Sequence, residues 1–125
     1  MSTVVQKTAD NKGIKAVKET IKLLKEHRRS IENMLAAHRE DWVVMDANNE
    51  GLYAIGVKGD KCMVESGFYP YVFTNKQTAE YCAKGFRCEN GKGVITWQVL
   101  SVPDYANRTL TEIKEKITQF RGYLS

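Results

Sequence analysis

Apolar residues return every three or four positions from Ile14 through Val17, Ile21, Leu24, Ile31 and Leu35. That spacing keeps them on one face of an α-helix, so it predicts a long amphipathic helix ending near Arg39 or Glu40. Leu23 and Met34 widen the stripe, and Arg28 falls inside it. The pattern then turns β-like. Trp42–Asp46, Leu52–Val57 and Lys61–Ser66 are short strand candidates, separated by turn signals at Asn48-Asn49-Glu50-Gly51 and Lys58-Gly59-Asp60. Phe68–Phe73 reads as an edge strand, because Pro70 lacks an amide donor.

Thr74-x-x-Gln77 reads as a capping box that opens a short helix from Asn75 to Lys84, with Gly85 as its stop. Cys88–Gly93 is a loop, Val94–Val102 a strand, and Pro103-Asp104 its break. Thr109-x-x-Glu112 is a second capping box, opening a last helix with Leu110, Ile113, Ile117, Phe120 and Leu124 on one face. The expected class is α+β: an antiparallel sheet of about four to five strands, with a long N-terminal helix, a short middle helix and a C-terminal helix. Connections this short suit antiparallel pairing, since parallel strands need crossovers. Residues 1–12 read as a flexible polar tail and 13–125 as a single domain. A helix of roughly 27 residues, ~40 Å, outruns a domain of this size, which predicts a homodimer or higher homo-oligomer.

Composition narrows the class further. The 125 residues are 42% hydrophobic and 27% charged, near the globular average, and no apolar run reaches the length of a membrane helix. Three cysteines without C-x-x-C spacing suggest free thiols and a cytoplasmic setting. The net charge of +4 favours anionic partners.

Five features are candidates for chemistry. Arg28 offers a guanidinium fork suited to carboxylate or phosphate, or else forms a structural ion pair or snorkels outward. Lys18, Lys22, Lys25 and Arg29 form a second helical stripe, about 100° round from the apolar one, able to track phosphates or simply to face solvent. Tyr69, Tyr71 and Phe73 alternate on one strand face, as a stacking platform or as core. Arg87, Asn90, Gly91, Lys92 and Gly93 supply donors around a turn, and Arg108, with Tyr105 and Asn107, stands just before the last helix. Catalysis is not expected. His38 reads as packed at the end of the apolar seam and His27 as exposed; three turns apart, they cannot share a metal. No catalytic motif is present, and neither a cofactor nor a metal is implied.

The run Tyr69-Pro70-Tyr71-Val72-Phe73-Thr74-Asn75-Lys76-Gln77-Thr78-Ala79-Glu80-Tyr81, followed by a glycine loop and a strand holding Trp97, resembles in layout the first type of phage Thoeris anti-defence protein. The likeness spans most of the chain. It implies a non-enzymatic sponge, in the host cytoplasm, that sequesters a cyclic ADP-ribose-type or cyclic oligonucleotide signal in pockets where protomers meet. The arginines, aromatic and asparagine of such a pocket would fall on Arg28, Tyr81 or Phe86, Asn90 and Arg108. Two other classes compete: a protein-interaction inhibitor of a host nuclease, resembling an anti-CRISPR, and a small nucleic-acid-binding module.

Overall fold

The computed structural model describes residues 3–48, 51–90 and 93–124. Along the chain run helix α1 (Thr3–Ala37), strands β1 (Trp42–Asp46), β2 (Tyr53–Lys58) and β3 (Lys61–Ser66), and helix α2 (Lys76–Gly85). Strands β4 (Glu89–Asn90), β5 (Gly93–Val94) and β6 (Trp97–Ser101) precede helix α3 (Val102–Gly122). The class is α+β, as the pattern predicts. Two compact units divide the chain: residues 34–106, which hold the sheets, and a helical unit of residues up to 33 with those from 107 onward.

In the sheet unit the order is β3-β2-β1-β6, antiparallel throughout. β1 is central, with Val44 opposite Val99 and Met45 opposite both Gln98 and Ala54. Side chains alternate between faces along a strand. One set, Val44 and Ile55, is buried with Phe73, Ala79 and Cys82, and Trp42, Val57, Trp97 and Val99 pack against this cluster. Complete burial of a side chain the size of Ile55 is worth about 1.5–3 kcal/mol. The alternate set, Val43, Met45 and Ala54, is buried as well, so both faces of the sheet are covered. Val102, Tyr105 and Ala106 at the start of α3 are buried too, and the Tyr105 hydroxyl donates to the Gly67 carbonyl at 3.0 Å.

In the helical unit Ile21 and Ile31 of α1 and Ile113 and Ile117 of α3 are the buried apolar residues among those described. Among the described residues no helix is long and apolar enough to cross a membrane.

Several boundaries differ from the pattern, each for a local reason. α1 opens at Thr3, so residues 3–12 are helical where a flexible tail is expected; nothing between Thr3 and Lys12 is a proline, and adding a residue to an existing helix is cheap. Phe68–Phe73 is not a strand. Its sole ladder contact is an isolated bridge from Phe73 to Trp42, made by reciprocal backbone bonds of 2.7 and 2.9 Å. Tyr69 and Tyr71 are exposed while Phe73 is buried, so the three rings do not form one continuous face, although Tyr71 and Phe73 meet edge to face at 4.9 Å.

Helix boundaries move for reasons of capping. The N-cap of α2 is Asn75, not Thr74: its side-chain oxygen accepts from the amides of Gln77 (2.8 Å) and Thr78 (3.2 Å). Asn75→Ala should lower stability by about 1 kcal/mol in urea unfolding, and Asn75→Ser should restore most of it. β6 is shorter than the pattern suggests, because Gly93–Val94 pairs instead with Glu89–Asn90. Pro103 opens α3 rather than ending a strand: Ser101 Oγ accepts from the Asp104 amide at 3.2 Å, and proline is at home in a first helical turn. The expected cap at Thr109 therefore lies within the helix. The Asn49-Glu50 turn residues and Gly91-Lys92 lie outside the described residues.

Candidate basic groove on the helical unit

The lysine stripe of α1 is where the structure gathers charge. Lys18, Lys22, Lys25 and Arg29 line one wall of a groove of about 540 Å³, together with Ile21 and Glu26. The opposite wall comes from the end of α3, with Arg121 and from Leu124 just beyond it. Ile21 is buried and Leu124 is exposed, so the apolar strip runs from the interior out to the lip. Five cations thus surround that strip with a single carboxylate, Glu26, among them.

None of the five cations is ion-paired with a carboxylate among the described residues; the salt bridges present all involve other side chains. Clustered, unneutralised cations raise the local positive potential and attract multivalent anions. The volume lies in the range of small-molecule sites, about 300–1,000 Å³. An apolar strip beside two guanidinium groups suits a ligand with an aromatic or sugar body and phosphate ends. Arg121 stands in the last turn of α3, where the helix dipole favours a cation.

The residues implied by the resemblance are distributed differently. Arg28 is not buried in the seam: its side chain is 44% exposed and lies 3.9 Å from Glu32 Oε1. Spacing along one helix fixes only an angle about its axis; which of the adjacent positions 27 and 28 is covered depends on what packs against α1. The inward line passes instead through Leu24, His27, Ile31 and Met34, which makes His27 half-buried where the pattern predicts exposure. Arg108 is exposed within α3 rather than before its N-terminus, so it does not stand beside the free amides of a first turn. Tyr81 stands 80% exposed on α2. Phe86, the C-cap of α2, is half-buried and packs on Trp97 at 6.3 Å, and Trp97 Nε1 donates to the Phe86 carbonyl. Asn90 pairs with Gly93 in the β4–β5 hairpin. Arg28 and Arg108 belong to the helical unit; Tyr81, Phe86 and Asn90 belong to the sheet unit.

Two clusters outside the groove carry titratable groups. His38 Nδ1 lies 2.9 Å from Asp41 Oδ2 just past α1, in a stretch where the Asp41 amide donates to the His38 carbonyl. Cys62 and Cys82 hold free thiols with sulfurs 3.4 Å apart. Burial, and then the neighbouring Cys62 sulfur, push the Cys82 thiol up to about 11. Among the described residues no three His, Cys, Asp or Glu side chains are grouped to hold a metal ion. Comparisons with protein families, curated proteins and solved structures find no match.

Proposed function

We propose that the protein is a non-enzymatic binding protein for a small phosphate-bearing ligand of the nucleotide class, held in the groove between α1 and α3. The observation that carries this reading is the set of five cations around an apolar strip, none of them ion-paired with a carboxylate among the described residues. With the resemblance to phage Thoeris anti-defence proteins, the ligand class becomes a cyclic ADP-ribose-type or cyclic oligonucleotide immune signal. Capture without turnover would then counter host anti-phage defence. A homodimer belongs to the same proposal, and sedimentation of the purified chain tests it.

The direct experiment is a thermal-shift panel of cyclic dinucleotides, ADP-ribose derivatives and linear nucleotides. A ligand at a hundred times its Kd stabilises by about 2.7 kcal/mol, a rise of roughly 10 °C for a chain of this size. No shift from any member would remove the reading. A second reading, a nucleic-acid-binding module, is favoured by the length of the stripe: Lys18 to Arg29 spans about 16 Å along α1, several phosphates of a single strand. It predicts oligonucleotide binding that weakens steeply with salt and no shift from mononucleotides.

A further inference from the structure

We propose that Cys62 and Cys82 are a redox pair that closes into a disulfide, clamping α2 onto the edge of the sheet when a low-molecular-weight disulfide such as oxidised glutathione accumulates. The two residues are 20 apart in sequence, on different elements, and their sulfurs are already in contact at 3.4 Å. A disulfide needs about 2.05 Å. Cys62 sits on β3, the outermost strand, and packs against the buried cluster to which Cys82 of α2 belongs, so the two sulfurs meet across the contact between helix and sheet.

Exposure assigns the two roles. Cys62 is half-exposed on the edge strand and meets solutes first; Cys82 is buried behind it. The Cys62 thiol loses its proton to solvent, and its thiolate attacks one sulfur of oxidised glutathione. The glutathione S–S bond breaks, and one glutathione leaves as a thiolate that takes up a proton. Cys82 then gives its proton to water and attacks the Cys62 sulfur of the mixed disulfide, releasing the second glutathione. The pair is oxidised by two electrons and one glutathione disulfide is reduced to two thiols. The raised pKa of Cys82 makes the second step the slow one, and rising pH accelerates it. Cys88 is not part of the pair: its sulfur donates to the Glu89 carbonyl at 3.8 Å.

The test incubates the purified full chain with defined ratios of reduced to oxidised glutathione, then maps linked peptides by mass spectrometry and measures melting. Expected are a Cys62–Cys82 crosslink in the parent protein and in Cys88→Ser, and a melting temperature roughly 5–10 °C above the reduced form. Cys82→Ser should instead accumulate a stable glutathione adduct on Cys62. Three free thiols at the most oxidising ratio, a lasting adduct on the parent protein, or a crosslink to Cys88 would each overturn the proposal. So would a crosslinked form that melts no higher than the reduced one. The outcome does not depend on whether the groove binds a nucleotide.

Discussion

Gly67→Ala should unfold about 10 °C below the parent protein, a loss of about 3 kcal/mol. A Cβ at Gly67 would be driven into the backbone carbonyl oxygen of Gly51, with the Gly51 and Leu52 carbonyl carbons only 3.0 and 3.1 Å away. Those are main-chain atoms, so no side chain can swing aside to relieve the clash. The same short segment is tied down from both sides: the Gly67 amide donates to the Leu52 carbonyl at 2.8 Å, and its carbonyl accepts the buried Tyr105 hydroxyl. Shifting the backbone to make room would stretch both bonds. Gly59→Ala is the contrast. Its surroundings are open and only its φ of 62° opposes a side chain, which costs about 1–2 kcal/mol. Equilibrium urea unfolding of the two variants should separate them by about tenfold in the folding constant. Equal midpoints would mean that the Gly51–Gly67 contact yields more easily than its geometry implies.

That contact illustrates what the chain makes legible and what it hides. The elements can be read because their signals are local: the three-four stripe of α1, the β-prone runs of β1 to β3 bounded by turn signals, and the short turns that require antiparallel pairing. The departures are of two kinds. Capping is ambiguous where two polar residues compete, since Thr74 and Asn75 are adjacent and the asparagine wins by accepting two amides at once. Phe68–Phe73 has strand composition but no strand, because sheet formation needs a neighbouring edge. Trp42, the available partner, offers only one pairing position there.

The candidate site is half visible for a similar reason. Lys18, Lys22, Lys25 and Arg29 form a stripe by arithmetic alone. Nothing in the sequence sets the register of α3 against α1, so Arg121 cannot be placed opposite them; its only signal is that it follows the inward-facing Ile117 by four residues. Arg28 misleads because spacing along one helix gives an angle about its axis but not which neighbouring position is covered, and it is His27 that is half-buried. The thiol pair is equally non-local. Each cysteine shows its core-facing position in its own element, but their 20-residue separation hides the contact.

The groove makes the second large prediction. Lys22→Glu, Lys25→Glu and Arg29→Glu in one chain should weaken binding of the best phosphate-bearing ligand by about a hundred- to a thousandfold, read by calorimetry at fixed salt. Each lost charge-assisted contact at this half-open site is worth on the order of 1 kcal/mol, and three of them sum to that range if the ligand engages all three. The substitutions lie on exposed positions of α1, so the fold should tolerate them, which circular dichroism and melting would verify. A matched variant reversing Lys58, Lys61 and Lys84 has the same net charge but leaves the groove intact. If general attraction between a basic chain and an anion explains binding, both triple variants lose affinity alike. If the groove is the site, only the first does, and a double variant that reverses Lys22 and Arg29 but keeps Lys25 retains part of the affinity. Arg29→Lys separates point charge from fork: a phosphate held in a bidentate manner should weaken several-fold, whereas one held by potential alone should be indifferent. The apolar strip supplies the last discrimination. Inorganic polyphosphate and a nucleotide of equal charge should bind alike if only cations matter, and a preference for the nucleotide that disappears in Leu124→Ser would place its base or sugar against the lip of the groove.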